Sequence, residues 1–273
     1  MLRRIKKGFF VWAALWLLSV GVYAGDTIRV LCIGNSFSMD AVEQNLYEMA
    51  KAEGIEMVIG DVYYPGCSLE QHVTFMAKGE SPYTYNKIVG GQMTSQQEMP
   101  LLPLLLDEKW DYVSLQQASH FSGKPDSFEP WLTQLYDTVR RYCPYAKMVW
   151  HMTWAYSQDS PHSKFYWYNN LQSTMYQAIL DCVNKVVRKH PFDVIVPAGM
   201  AIQNARESKL GDTFCRDGFH LQKTYGRYTA ACAWFEALTG RNSIDNTYKP
   251  ADVTYEQMHI CQRATHKAIL KLH

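Results

Sequence analysis

The chain has 273 residues and carries 27 lysines and arginines against 26 aspartates and glutamates, a formal net charge of +1. This balance excludes the strong positive charge typical of proteins that bind nucleic acid or anionic membrane surfaces, so neither partner is expected. Aromatic residues make up 14% of the sequence, with 18 tyrosines and 8 tryptophans, and such flat side chains suit either sugar rings or a protein core.

The first 24 residues have the three parts of a secretory signal peptide. A basic segment containing Arg3 and Lys7 precedes the apolar run 9–20, and the small residue Ala24 follows. We therefore predict cleavage after Ala24, export to the periplasm or out of the cell, and a single mature domain over residues 25–273. The alternative is a retained membrane anchor, although a spanning helix needs about 20 apolar residues. No later stretch is long and apolar enough to span a membrane, so no insertion is expected after cleavage.

Strand-like and helix-like patterns alternate along the mature chain. Short apolar runs predict five strands, over residues 28–33, 55–64, 111–116, 147–154 and 192–199. Amphipathic runs predict helices over residues 40–53, 128–142, 169–189, 223–238 and 255–270. Residues 67–100 are polar and irregular and are interpreted as an insertion or a mixed connection. The alternation predicts an α/β fold in which a five-stranded parallel sheet is covered by helices on both faces, a doubly wound α/β/α sandwich.

The first predicted strand ends in Gly34-Asn35-Ser36, which has two interpretations. Glycine, asparagine and serine suit a tight turn, and Ser36 could cap the following helix, in competition with Ser38 or Asp40. The same turn could present Ser36 as a nucleophile at the carboxyl edge of the sheet, where open α/β folds bind ligands.

A serine nucleophile needs a base, and the base needs an orienting group. Asp217 and His220 lie three residues apart in a predicted loop near the end of the chain. At this spacing the carboxylate can reach Nδ1 of the imidazole, which leaves Nε2 free to act as a base. An isolated Asp-x-x-His pair is common, so its value depends on its position on the same side of the sheet as Ser36.

Together these segments resemble the GDSL-type, or SGNH, hydrolase superfamily. The resemblance rests on the block Gly34–Ser38, on the isolated Gly66 after the second strand, and on the block Asp217–His220. It implies the flavodoxin-like fold of these enzymes and a catalytic triad of Ser36, His220 and Asp217. It also implies that the backbone N–H groups of Ser36 and Gly66 contribute to an oxyanion hole.

The sequence departs from the superfamily pattern in two blocks. Asn35 replaces the usual aspartate of the first block and is a further candidate for substrate binding. The third block, where the superfamily has an asparagine, contains Gln116 and Gln117. A glutamine amide can donate the same type of hydrogen bond to an oxyanion. We favour Gln117 because it lies nearer the carboxyl end of the strand, with Gln116 and Ser119 as alternatives.

Three other side chains are weaker candidates for substrate binding. Trp154 and Tyr156 belong to the aromatic-rich segment 152–170 at the end of the fourth predicted strand, which could be a substrate-contacting loop or could pack as a lid or an interface. Arg206 could bind an acidic sugar or could be a solvated helix charge. Further histidines, interpreted as structural or incidental, are His72, His120 and His151.

Cysteine usage gives no sign of a metal site. The seven cysteines lie at positions 32, 67, 143, 182, 215, 232 and 261. Export would permit disulfides, but an odd number leaves at least one thiol free or paired between molecules. No Cys-x-x-C motif, zinc-ligand spacing or phosphate-binding glycine loop occurs, so no metal or other cofactor is expected.

The residues and the resemblance together predict an exported serine esterase. Because the protein is aromatic-rich and has no long apolar loop to form an acyl-chain tunnel, the favoured substrate is an O-acetyl group on a carbohydrate or polysaccharide. One alternative is a lipase or lysophospholipase of the same superfamily. The other is a non-catalytic glycan-binding protein that kept the fold and lost turnover. The sequence does not predict the oligomeric state.

Overall fold

The computed structural model describes residues 27–272, so the predicted signal peptide lies outside the described residues. Seven strands form one sheet in the order β4-β3-β2-β1-β5-β6-β7. Their bounds are β1 (Ile28–Gly34), β2 (Met57–Tyr63), β3 (Tyr83–Val89), β4 (Gln92–Met99), β5 (Tyr112–Leu115), β6 (Lys147–His151) and β7 (Val194–Val196).

Five of these strands, β2, β1, β5, β6 and β7, run parallel and correspond to the five predicted strands. Their order is the 2-1-3-4-5 order of flavodoxin-like folds. The prediction of a five-stranded, wholly parallel sheet is wrong, because the antiparallel hairpin β3–β4 adds two strands beside β2. The hairpin lies in the segment 67–100, where the residues of β4 are almost all exposed and give no apolar pattern.

Helices connect the strands. Their bounds are α1 (Ser36–Val42), α2 (Leu46–Ala52), α3 (Leu69–Lys78), α4 (Leu101–Leu105), α5 (Trp131–Tyr142), α6 (Gln172–Lys185), α7 (Ala198–Arg206), α8 (Tyr225–Thr239) and α9 (Tyr255–Leu272). The predicted helix 40–53 is two helices, separated where Asn45 adopts a left-handed φ of 70°. Helices α3 and α7 were not predicted. No helix within residues 27–272 is long and apolar enough to cross a membrane.

The helices pack in two sets. Helix α8, in which nearly every residue is buried, contacts α1, α2, α7 and α9. In the other set α5 contacts α3 and α4. All seven cysteines are free thiols, and six of them are buried and serve as small apolar core residues.

The strand order determines where a ligand can bind. From β2 the chain returns across β1 to reach β5, so the carboxyl ends of β1 and β5 form a topological switch point. Gly34 ends β1 at this point, and a Cβ there would lie 2.7 Å from Ser38 Oγ and 2.8 Å from the Gln116 side chain. The glycine therefore allows the turn after β1 to approach the end of β5 closely.

Candidate active site

Asn35 organises the turn between β1 and α1. Its Oδ1 accepts the Phe37 N–H at 3.0 Å, and its Nδ2 donates to the Cys67 carbonyl at 2.9 Å. Asn35 is therefore the N-cap of α1, and it ties this turn to the turn after β2. The hydroxyl of Ser36 is left free of the capping role that was its alternative interpretation.

The structure joins Ser36, His220 and Asp217 by a continuous chain of hydrogen bonds. Ser36 Oγ lies 2.8 Å from His220 Nε2, and His220 Nδ1 lies 2.7 Å from Asp217 Oδ2. Asp217 Oδ1 also accepts the backbone N–H groups of His220 and Phe219 at 2.8 and 3.2 Å. Partial burial would raise the pKa of the Asp217 carboxyl, but the hydrogen bonds from His220 and from these N–H groups outweigh it and lower that pKa. The carboxylate is thus held ionised against the imidazole.

A buried aspartate that sequence reasoning missed fixes the loop that carries this histidine. Asp40 lies one turn after Ser36 in α1 and accepts the Leu221 N–H at 2.7 Å. Arg216 and Arg227 form ion pairs with the same carboxylate, at 3.1 and 2.5 Å. Because Arg216 and Leu221 flank the segment that contains Asp217 and His220, Asp40 ties that segment to the helix that begins with Ser36. Its only signal in the sequence was its position four residues after Ser36.

Ser36 and His220 line an open cleft of about 390 Å³, which we call the catalytic cleft. Asn35 and Gly66 also line it. Gly66 is exposed in the turn after β2, has a φ of +62°, and has no atom within 4 Å of the place a Cβ would take. The left-handed backbone rather than crowding accounts for the glycine, and it turns the chain into the cleft.

Several residues of the cleft were not predicted as site residues. Ser119 and His120, considered only as an alternative donor and as incidental, lie in its lining. Burial, with the nearby His162 and Lys164, lowers the pKa of His120 to about 4, so its ring is neutral at pH 7. The pKa of His162 is lowered as well, mainly by burial. Tyr63 and Phe219 also line the cleft and were not predicted, whereas His162, Ser163 and Lys164 belong to the segment 152–170, one interpretation of which was a substrate-contacting loop.

Neither predicted glutamine donor points into the catalytic cleft, which corrects the sequence-based assignment. Gln116 is buried behind Asn35: its Nε2 donates to Asn35 Oδ1 at 2.7 Å, and its Oε1 lies 2.8 Å from His151 Nδ1. Gln117 has no exposed surface, and its Nε2 donates to the carbonyl and hydroxyl of Ser127 at 2.9 and 3.2 Å. Both amides are thus hydrogen-bonded inside the protein. Breaking such a bond would leave a buried donor unsatisfied, which costs free energy.

The three weaker substrate-binding candidates are also buried. Trp154 stacks on Phe37 with a centroid distance of 4.2 Å, and its indole N–H donates to the Phe219 carbonyl. The Tyr156 hydroxyl lies 2.8 Å from Ser119 Oγ. These two aromatic residues support the floor of the cleft rather than facing substrate.

Arg206 is used in the same structural way. It donates to the Ala155 carbonyl at 3.0 Å and forms an ion pair with Asp212 at 2.8 Å. The prediction that Trp154, Tyr156 and Arg206 contact substrate is therefore corrected. Aromatic and charged residues after a strand give the same sequence signal whether they face solvent or the core.

No group of three or more histidine, cysteine, aspartate or glutamate side chains within residues 27–272 is arranged to hold a metal ion. The structure does present a line of three groups, a hydroxyl, an imidazole and a carboxylate, joined by successive hydrogen bonds. Such a line can activate the hydroxyl as a nucleophile without any further group.

Solved structures that resemble the chain fall into two ranges of identity. A protein of the DUF4886 family from Bacteroides uniformis is 46% identical with a TM-score of 0.88, over 90% of this chain and 95% of that chain. A protein from Slackia heliotrinireducens described as a candidate SGNH hydrolase has 16% identity and a TM-score of 0.54, over 78% and 100% of the two chains. Axe2, an acetylxylan esterase from Geobacillus stearothermophilus, has 11% identity and a TM-score of 0.51, over 78% and 94%.

The two more distant likenesses show that the fold is that of SGNH hydrolases. No curated protein matches the chain. The family model described as Domain of unknown function (DUF4886) matches residues 29–268, which is nearly the whole described chain. On this match and on the 46% identity to a solved member, the chain belongs to the DUF4886 family.

Proposed function

We propose that the protein is a serine hydrolase that cleaves carboxylic esters, with Ser36 as nucleophile, His220 as general base and acid, and Asp217 as the group that orients the imidazole. The observation that carries the proposal is the hydrogen-bond chain Ser36–His220–Asp217, with steps of 2.8 and 2.7 Å, at the open cleft. The likeness in fold to SGNH hydrolases supports a hydrolase.

In the first half of the reaction Ser36 Oγ attacks the ester carbonyl carbon while His220 Nε2 takes the hydroxyl proton. Asp217 keeps Nδ1 protonated and stabilises the imidazolium that forms. The tetrahedral intermediate collapses as His220 returns the proton to the leaving alcohol, which breaks the ester C–O bond. Water then enters, is deprotonated by the same nitrogen and attacks the acyl carbon. The bond between this carbon and Ser36 Oγ breaks as His220 returns the proton to Oγ, which releases the acid and restores Ser36.

Two backbone donors are available for the oxyanion. The Ser36 N–H is the first of helix α1, where the amides have no partner within the helix. The Gly66 N–H belongs to the exposed turn in the lining of the cleft. Removing one oxyanion donor typically costs about 3 kcal/mol of transition-state stabilisation, so these two groups make a substantial contribution.

We assign the substrate to O-acetyl esters of a carbohydrate, acted on outside the cytoplasm by the exported protein. The catalytic cleft is small, and it is lined by hydroxyl, imidazole and ammonium groups beside the aromatic ring of Phe219. A short acyl group fits such a lining better than a long apolar chain, which would leave these polar groups unsolvated. Among the structural neighbours, Axe2 is named an acetylxylan esterase.

The first test compares hydrolysis of p-nitrophenyl acetate by the mature protein, by Ser36→Ala and by Ser163→Ala. Ser163 lines the same cleft and provides the matched control. We expect Ser36→Ala to lose several orders of magnitude in kcat and Ser163→Ala to stay within about threefold of the parent. Retained activity in Ser36→Ala would overturn the assignment. A preference for a long-chain ester over acetate would favour the lipase alternative instead.

One observation favours the glycan-binding alternative: neither Gln116 nor Gln117 offers its amide to the cleft. The oxyanion hole then depends on backbone donors alone. Labelling with a fluorophosphonate probe separates the two functions. A reactive Ser36 forms a covalent adduct, whereas a purely binding protein stays unlabelled and keeps its affinity for polysaccharide in Ser36→Ala.

A further inference from the structure

A second cavity, of about 480 Å³, lies beside the catalytic cleft. Three segments of chain contribute to both linings. Gly66 lines the cleft and Ser68 the second cavity; His120 lines the cleft and Phe121 the second cavity; Lys164 lines the cleft and Trp167 the second cavity. The two spaces are therefore neighbours along one surface.

Trp167 lies at the boundary between them. Its ring centroid is 5.9 Å from that of His120, in the cleft, and 5.6 Å from that of Phe121, in the second cavity. Lys124 holds this tryptophan in place by donating to its carbonyl at 2.8 Å. A ligand that extends from Ser36 past His120 meets aromatic surface next.

The second cavity is built on a rigid support, which is the actual role of Gln117. Its Oε1 accepts the N–H of Leu69, the residue between Ser68 and Glu70, at 3.1 Å. Its Nε2 donates to the carbonyl of Ser127, another lining residue, at 2.9 Å. One fully buried amide thus links two segments that line the cavity, which favours a lining that is ordered before a ligand binds.

The lining combines aromatic rings with charged groups. Phe121, Trp131 and Trp167 are each partly exposed, and Glu70 and Asp126 are exposed carboxylates beside them. Indole and phenyl faces accept the C–H faces of a pyranose ring, while carboxylates accept hydrogen bonds from its hydroxyl groups.

Other ligand classes suit this lining less well. An acyl chain would desolvate two carboxylates and the Lys124 ammonium without a compensating partner. An anionic group would be repelled by Glu70 and Asp126. A cation would compete with the ammonium groups of Lys124 and Lys164, which lie 5.9 and 5.0 Å from the Trp167 ring centroid.

We propose that this second cavity is a neutral-sugar subsite, which binds a pyranose unit next to the one whose acetyl ester reaches Ser36. The inference rests on the proposed esterase function and extends it. It identifies the substrate as an oligosaccharide or polysaccharide rather than an acetylated monosaccharide. Trp131 and Trp167 supply the stacking surface, and Glu70 and Asp126 accept the hydroxyl groups.

The kinetic test uses Trp131→Ala and the double variant E70Q/D126N, with E98Q/D252N as a matched control on exposed carboxylates outside both cavities. The substrates are p-nitrophenyl acetate and chemically acetylated hexasaccharides of xylose, glucose and mannose. We expect Trp131→Ala to raise KM for at least one acetylated hexasaccharide about tenfold, as the loss of one stacked ring implies, and E70Q/D126N to raise it through the loss of two charged acceptors. Hydrolysis of p-nitrophenyl acetate stays unchanged. Equal KM values for parent and subsite variants, or an active parent that turns over no acetylated hexasaccharide, would overturn the proposal.

A binding test separates this proposal from the proposed function. Calorimetric titration of Ser36→Ala with the unacetylated hexasaccharides measures the subsite without chemistry. We expect saccharide binding that weakens about tenfold when E70Q/D126N is added and not when E98Q/D252N is added. Saccharide binding without any esterase activity in the parent would contradict the proposed function but support the subsite. Esterase activity without saccharide binding would support the proposed function and contradict the subsite. Because Glu70 and Asp126 are exposed, the double variant also remains informative if Trp131→Ala fails to fold.

Discussion

Asp40 and Asp61 are both buried, but the groups around the two carboxyls differ. These groups determine how readily each carboxyl ionises. Asp40 receives two arginines and a backbone N–H. Asp61, on β2, makes no ion pair with any residue that the structure describes, and it lies beside Ser38 and a second acid, Glu43. Burial, with the charge of Glu43, raises the pKa of Asp61 well above its usual range. One carboxylate is therefore stabilised by two arginines, whereas the other carboxyl has surroundings that disfavour its charged form.

Of the two buried acids, the one with counter-charges is the one that can hold the candidate active site together. A compensated buried carboxylate can hold two segments in a fixed arrangement, because removing it leaves its partners unpaired. Asp40 does this between α1 and the loop of Asp217 and His220. Asp61 has no such counter-charges, so we expect it to affect stability through its raised pKa rather than by joining two segments.

The largest expected effect is that of Asp40→Asn. The substitution keeps the size of the side chain but leaves Arg227, whose side chain is only 7% exposed, without its counter-charge. We expect a loss of about 3–5 kcal/mol in the free energy of unfolding, the usual result of breaking a buried pair. Denaturant unfolding measures it. If Asp40 also positions His220, kcat for p-nitrophenyl acetate falls in the folded variant while KM changes little; unchanged kcat would limit Asp40 to a role in stability.

Asp61→Asn is the matched counterpart and is expected to act in the opposite direction. The raised pKa means that the folded state binds this proton more tightly than the unfolded state, so the parent loses stability as pH rises above about 4. Asparagine removes that loss. We expect the variant to be more stable than the parent at pH 8 by at least about 1 kcal/mol, since one pKa unit is worth about 1.4 kcal/mol. Thermal unfolding from pH 4 to 8 checks it, and a constant or reversed difference would contradict the raised pKa of Asp61.

In Asp61→Asn the pH dependence of the free energy of unfolding is expected to have the opposite sign, because two buried histidines then determine it. Burial lowers the pKa of both His72 and His151 to about 3, so each stays neutral in the folded protein while the unfolded chain takes up a proton below pH 6.5. Their stabilisation is complete above pH 6.5 and is lost as pH falls towards 3. In Asp61→Asn we expect the free energy of unfolding to fall by about 1–2 kcal/mol from pH 6.5 to 5.5. His151→Asn reduces that slope if the histidine is responsible, and an unchanged slope would remove His151 from the explanation.

The sequence predicted the parts of the molecule that local chemistry determines. Apolar runs predicted the five parallel strands. The Gly-Asn-Ser turn and the Asp-x-x-His spacing indicated Ser36, Asp217 and His220, which the structure joins by hydrogen bonds. The edge strand β4 was missed because its exposed residues show no apolar alternation, and its largely buried neighbour β3 was left in the segment interpreted as irregular.

Gln117 and Asp40 show why the rest could not be predicted. Gln117 was assigned to the oxyanion hole because it follows a strand, and nothing in the sequence indicates that Ser127 and Leu69 use its amide. Asp40 could not be linked to Arg216, which lies 176 positions later. Long-range polar partners are decided by tertiary packing, which local patterns do not encode.

The smallest expected effect is that of Arg216→Lys. It tests whether the contact of Arg216 with Asp40 depends on the geometry of the cation or only on its charge. Arg216 contacts both the Asp40 carboxylate and the Leu221 carbonyl, and its side chain is 31% exposed. Arg216→Lys keeps the positive charge but replaces the planar guanidinium, whose Nη1 meets both acceptors, with a flexible ammonium group. Because the charge persists and the site is partly solvated, we expect stability to stay within about 1 kcal/mol of the parent. A loss of a few fold in kcat, with the Ser36→Ala variant as the inactive baseline, would show that the position of the loop limits turnover. A kcat equal to that of the parent would mean that Arg227 and the Leu221 amide hold the loop without Arg216.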